Sequence, residues 1–140
     1  MSTVALLMMN MMLASEQPRT YAEAYRQTNE NGKPLVVLVG TKWCPGCIKM
    51  KEEVIPQMQE HGTLSKVNFT EVDAETDTEL AGQLLNGRKL PQLVMFIKTD
   101  SGWKKTQMVG AKSEAEIDAF LQNNMAKPTV RFSSVQTPAR

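Results

Sequence analysis

The stretch PLVVLVGTKWCPGC, residues 34–47, sets the tightest limit on how this chain can fold. Its first half is an unbroken aliphatic and β-branched run, too short for a core helix. Bounded by Pro34 and Gly40, it reads as a strand buried on both faces. A strand covered on both sides needs packing layers above and below it, which commits the chain to an α/β architecture. The second half ends in Cys44-Pro45-Gly46-Cys47, and these are the only two cysteines among 140 residues.

Three chemistries compete for that pair. A disulfide closing so short a loop would remove only about 2 kcal/mol of unfolded-chain entropy, and short rings are strained. Structural zinc wants four ligands, and one cysteine pair plus one histidine, His61, leaves the set incomplete. Covalent haem attachment needs histidine after the second cysteine, where this chain has Ile48. Thiol–disulfide exchange fits better. The residues after the pair, CIKMKEEVIPQMQEHG, read as a helix, so Cys44 falls at a helix N-terminus after a buried strand. Unpaired N–H groups and the positive dipole end favour a thiolate there. Pro45 suits a first helical turn because it has no N–H to leave unpaired. Cys47 lies one turn on, on the same face and within bridging distance. Cys44 is therefore expected to be exposed and nucleophilic, and Cys47 shielded and resolving.

The rest of the chain alternates in the same manner. Arg19 to Asn29 has helical spacing at Tyr21, Ala24, Tyr25 and Thr28, and Gly32 and Pro34 end it. In the helix after the cysteines, Pro56 is expected to make a kink or break, and Gly62 to close it. KVNFTEVDA is a second strand, and ETDTELAGQLLNG is a helix with Leu80, Leu84 and Leu85 inward and Asn86-Gly87 as C-cap. QLVMFIK and WKKTQMV are strands joined by the turn TDSG. Ser113 opens a last helix with capping-box spacing to Glu116, and Ile117, Phe120 and Leu121 form its inner face. The order implies parallel strands linked by a crossover helix, followed by a hairpin: a mixed sheet with helices on both faces.

The totals narrow the partners. At 15.6 kDa, with 41% hydrophobic and 22% charged residues, the chain suits a single domain with its own core. A net charge of +1 without a basic run gives no reason to expect nucleic acid or an acidic membrane surface as a partner. Residues 1–18 form a separate unit. VALLMMNMMLA, residues 4–14, is shorter than the roughly 20 residues of a membrane-spanning helix. It has the length of a secretory h-region, and small residues follow it. An exported or periplasmic protein is expected, with a cytoplasmic one as the alternative. Residues 127–140 carry two prolines and no periodicity, and read as a mobile tail after a domain spanning 19–126.

Three motifs in order give the domain a resemblance: Trp43-Cys44-Pro45-Gly46-Cys47 after the buried strand, Leu90-Pro91 before QLVMFIK, and MVGAKSEAEIDAFL near the end. It resembles the thioredoxin superfamily. Among its members it looks closest to the thioredoxin-like domains of exported bacterial thiol–disulfide proteins. The resemblance implies a thioredoxin-like fold of four to five strands and a cis peptide bond at Pro91. It implies that the backbone of Leu90 pairs with an extended substrate chain, that Trp43 is an apolar platform beside Cys44, and that Gly110 follows the edge strand near the site. It further implies reduction of protein or peptide disulfides by a monomer, without cofactor or metal. An upstream thiol–disulfide partner would exchange electrons with it. An oxidase, an isomerase or a peptide-binding module are the alternatives on the same fold. The chain departs from the family in three ways. Pro45-Gly46 reverses the family's Gly-Pro, Leu38 stands where thioredoxins have a buried aspartate, and no clear strand precedes the first helix.

Overall fold

The computed structural model describes Pro18 and residues 20–125. The signal-like segment and the expected tail lie outside the described residues, Pro18 apart. The chain forms α1 (Tyr21–Asn31), β1 (Leu35–Gly40), α2 (Pro45–Lys49), a π-helical turn (Met50–Val54), α3 (Ile55–Glu60) and a 3-10 turn (Thr63–Lys66). It continues with β2 (Asn68–Asp73), α4 (Thr78–Leu84), β3 (Gln92–Thr99), β4 (Gly102–Val109) and α5 (Glu114–Met125).

The four strands make one sheet in the order β2-β1-β3-β4. β1 runs parallel to β2 and antiparallel to β3, and β3 pairs antiparallel with β4. This is the thioredoxin-like fold, with four strands among the described residues. β1 is central, and all of Leu35 to Val39 are buried, as a run without polar alternation requires. Its side chains alternate between two cores. Val36 and Leu38 pack with Met50, Val54, Met58, Phe69 and Ile117 on the side of α2, α3 and α5. Leu35, Val37 and Val39 pack with Ala24, Val72, Ala81 and Leu84 on the side of α1 and α4.

The helix ends follow their chemistry. Thr20 caps α1 by accepting the Glu23 N–H, and Gly32 ends it in the left-handed conformation with φ 73°. The capping box at α5 is formed in both directions: Glu116 N–H donates to the Ser113 hydroxyl, and Ser113 N–H donates to the Glu116 carboxylate. That pairing holds the Glu116 carboxyl below its usual range. On α1, Ala24 and Thr28 are buried, whereas Tyr25 is exposed and stacks on Trp103 at 5.7 Å. On α4 only Leu84 of the three leucines is fully buried, and the helix ends with Leu85 as its C-cap, before Asn86-Gly87.

Pro56 does not break the site helix, one of the two outcomes expected of it. Helical backbone runs from Pro45 to Glu60, and the turn just before the proline widens, so that Ile55 N–H donates to the Met50 carbonyl five residues back. A proline cannot supply the N–H of an α-helical bond, and its ring crowds the carbonyl four residues earlier. One π turn relieves both constraints. Among the described residues, no helix is long and apolar enough to cross a membrane.

Candidate redox site

The site starts at the end of β1. Gly40 lies two residues beyond Leu38 on the same sheet face, and it leaves a seat for Cys47. A Cβ on Gly40 would stand 2.8 Å from the Cys47 sulfur and 2.9 Å from the Cys47 Cβ. The chain then turns through Thr41 to Trp43, and Cys44 caps α2 from an extended conformation (φ −76°, ψ 118°). Its sulfur accepts the Cys47 N–H at 3.4 Å, so one of the helix's unpaired donors is turned onto the first sulfur. Pro45 occupies the first helical turn, as expected.

Both thiols are free, and both are buried, Cys44 with 8% of its surface exposed and Cys47 with 5%. The expected order of depth holds, but Cys44 is not the exposed thiol that the sequence suggested. Two loops pack on the CxxC turn beside it. A Cβ on Gly46 would come within 3.2 Å of the Pro91 ring and 3.4 Å of the Ala111 Cβ, so both segments press on the turn.

Burial pushes the Cys47 thiol up to about 11, and its hydrogen bond with Cys44 adds to the rise, while the Thr41 backbone works the other way. Leu38 is buried and lines the cleft that reaches Cys47. The position six residues before Cys44 therefore does lie beneath the pair, as an apolar wall. The two thiols should consequently differ sharply in reactivity. At pH 7 a thiol with that pKa is thiolate to roughly one part in ten thousand. Brief alkylation of the reduced protein, read by mass mapping, should label Cys44 on the order of a hundredfold faster. Labelling of Cys47 should climb as the pH approaches 11. Equal labelling at pH 7, or Cys47 labelled first, contradicts the roles given to the two sulfurs.

The Pro91 loop is the second wall. The Leu90-Pro91 peptide is cis, Pro91 is buried and Leu90 is half-buried. Gly110 N–H donates to the Pro91 carbonyl at 2.8 Å from a backbone with φ 92°, a conformation that favours glycine. Next to it, Lys112 N–H donates to the Met50 sulfur at 3.3 Å, tying the 110–113 segment to the site helix. Trp43 is 66% exposed beside Cys44, and its indole N–H donates to the Glu75 carboxylate. The structure thus brings Trp43, Cys44, Gly46, Cys47, Pro91 and Gly110 into one neighbourhood, with Leu38 below.

Four contributors escaped the reading of the sequence. The sequence marks Gly40 only as the end of a strand. Gln92 is fully buried, donates to the carbonyls of Asn86 and Lys89 at 2.9 Å each, and accepts from Asn86 N–H at 3.0 Å. It braces the loop that presents Pro91, and a glutamine opening an apolar strand was the available signal. Met50 read as core filler. Thr41 is buried with its hydroxyl unpartnered, and nothing in the sequence marks it. His61 is exposed and pairs with Glu114 at 2.7 Å, which raises its pKa. Among the described residues, no group of three or more His, Cys, Asp or Glu is placed to hold a metal ion.

Comparison with known proteins agrees with the fold. The family model described as thioredoxin-like domain matches residues 21–124. A thioredoxin from Thermus thermophilus superposes with TM-score 0.64 at 21% identity, over 79% of this chain and 87% of its own. Trichomonas vaginalis thioredoxin gives 0.60 at 22% identity, over 78% and 94%. The DsbH oxidoreductase gives 0.59 at 22% identity, over 77% and 82%. At such identities the structural likeness speaks for the fold. Among curated proteins the sequence finds no match. The family model covers most of the chain, and with the fold around Cys44–Cys47 it places this protein in the thioredoxin-like domain family.

Proposed function

We propose that this protein is a thiol–disulfide oxidoreductase that reduces disulfides in proteins or peptides through Cys44 and Cys47. The observation that carries the reading is the asymmetric pair. One sulfur is held by a helix N–H at the mouth of the site, and the other is seated one turn deeper against Gly40. Cys44 attacks a substrate disulfide as thiolate, and the first substrate sulfur leaves. Cys47 then attacks the Cys44 sulfur, releases the second substrate sulfur as thiolate and closes the Cys44–Cys47 disulfide. Two electrons pass to the substrate, and an upstream dithiol restores the reduced form. The chemistry needs no cofactor. The Leu90 backbone beside Pro91 supplies an edge for an extended substrate chain, and Trp43 supplies an apolar face next to the attacking sulfur. An exported setting belongs to the same proposal, since disulfide substrates are most abundant there.

A disulfide-reduction assay with dithiothreitol as electron source tests the reading. The native protein should accelerate reduction of a protein disulfide, and Cys44→Ser should fall to the uncatalysed rate. A native protein no faster than the uncatalysed rate would leave a binding module, and acceleration that survives Cys44→Ser would remove Cys44 from the chemistry. Equilibration against glutathione gives the direction of electron flow. A potential below about −200 mV fits a reductase, and one near −120 mV would make the protein an oxidant.

A further inference from the structure

If the pair works as proposed, the Cys47 proton must have somewhere to go. The thiolate is the attacking species, so Cys47 must deprotonate before it can resolve the mixed disulfide. Its thiol is in hydrogen-bond contact with Cys44 and the Thr41 backbone, and neither is a base for it. The wall beneath is Leu38, and Gly40 brings no side chain.

A cleft of about 690 Å³ nevertheless reaches Cys47. Cys47, Gly40 and Leu38 line it together with Thr41, Lys51 and Glu71. Such a volume accommodates water, whose share of the liquid is about 30 Å³ per molecule. The Thr41 hydroxyl in this lining is buried and has no hydrogen-bond partner, which leaves it open to a water in the cleft. Glu71 is the register partner of Leu38 on the neighbouring parallel strand. It shares the face of Phe69, which packs in the same core as Leu38. Its carboxylate is held at 3.3 Å by Lys51, four residues after Cys47 on the site helix. One strand spacing of about 4.8 Å and two residues of rise, about 6.6 Å, separate Glu71 from the Gly40 seat. A glutamate side chain and a bridging water together can span that backbone separation.

We propose that Glu71 receives the proton of Cys47 through water in this cleft, with the Thr41 hydroxyl as a relay and Lys51 positioning the carboxylate. The titratable groups facing the cleft are Cys47, Lys51 and Glu52 from the site helix, Lys42 from the turn before it, and Glu71 and Asp73 from β2. Asp73 uses one carboxylate oxygen to accept the Glu75 N–H at 2.8 Å within its own loop. Glu52 is exposed on the π turn and has no partner among the described residues. Glu71 alone is held toward the helix that carries Cys47. In the step, the Cys47 S–H bond breaks and its proton passes to the carboxylate. The sulfur's electron pair forms the bond to Cys44, and the Cys44–substrate bond breaks with its pair on the departing thiolate. The proton returns to that thiolate or to solvent.

The test is a pH-jump stopped-flow measurement on the full chain. Reduced protein is mixed with Ellman's reagent at pH 4.5 to leave thionitrobenzoate on Cys44. Release of the second chromophore is followed after jumps to pH 6–9. Glu71→Gln is expected to slow release near pH 7 about a hundredfold, at the low end for general acid–base catalysis, and to make the rate first-order in hydroxide. Glu71→Asp should retain part of the rate, and added acetate should accelerate Glu71→Ala but not the native protein. Thr41→Val should show a smaller loss with the same change of profile. A Glu71→Gln profile superimposable on the native one, with the fold intact by circular dichroism, overturns the proposal. So does a loss carried by Asp73→Asn or Glu52→Gln instead. A native protein that releases no second chromophore at any pH overturns the dithiol reading itself, and this proposal with it.

Discussion

Replacing Cys47 with serine is expected to turn the protein from a catalyst into a trap. Cys44 keeps its place at the helix end and still attacks a substrate disulfide, because its capping partner is the backbone N–H of residue 47, which serine also has. Release then has no intramolecular nucleophile. A well-oriented neighbouring group acts at an effective concentration of about 10⁵ M or more, whereas an external thiol is present at millimolar levels. Turnover should therefore fall by at least about a thousandfold, even with geometry far from ideal. Non-reducing gels of cells expressing Cys47→Ser should show higher-mass adducts that dithiothreitol removes. Cys44→Ser/Cys47→Ser should show none. If the single and double variants look alike, protein disulfides are not the substrate. The Ellman's-reagent experiment would then still report whether the pair exchanges electrons with a small disulfide.

What was legible in the sequence follows from how local each cause is. β1 could be read directly, since a strand buried on both faces must be apolar throughout, and Leu35 to Val39 leave no other reading. The place of Cys44 at a helix start needed only the strand before it and Pro45 after it. The capping box at Ser113 and Glu116 involves two side chains three residues apart, and it formed as expected. The crowding of the CxxC turn was not legible, because Pro91 and Ala111, which approach Gly46, lie 45 and 65 residues downstream in the chain. How the helix passes Pro56 is hidden for a different reason. A proline prohibits one hydrogen bond, but the sequence does not say whether the helix stops or widens by a residue. Packing decides that: Met50, Val54, Ile55 and Met58 all lie in one core, and a break would have taken some of them out of it. Glu71 is likewise invisible until the register sets it beside Leu38.

The glycine at position 40 should prove as sensitive as either cysteine, through packing alone. Its missing Cβ is what lets the site helix approach β1. The clash a Cβ would make includes the Cys47 Cβ at 2.9 Å as well as the sulfur at 2.8 Å. A sulfur can rotate away, but a Cβ moves only with its backbone, so the whole first turn of α2 would have to shift. Gly40→Ala is expected to cost about 1–3 kcal/mol as overpacking. For a domain of this size that lowers the midpoint of thermal unfolding by roughly 4–8 °C for each kcal/mol. Gly40→Val should cost more. The same shift would separate Cys47 from Cys44, so the rate of mixed-disulfide resolution should drop in whatever protein remains folded. Gly82 is the matching control. It lies on α4, and a Cβ there meets nothing within 4 Å. Gly82→Ala should therefore stabilise by up to about 1 kcal/mol, as alanine does in exposed helix. The two substitutions add the same methyl group with opposite expected signs, and thermal melts with resolution kinetics on both variants separate them. If Gly40→Ala melts with the native protein and resolves at the native rate, Cys47 is not seated against β1, and the depth assigned to the resolving thiol is wrong.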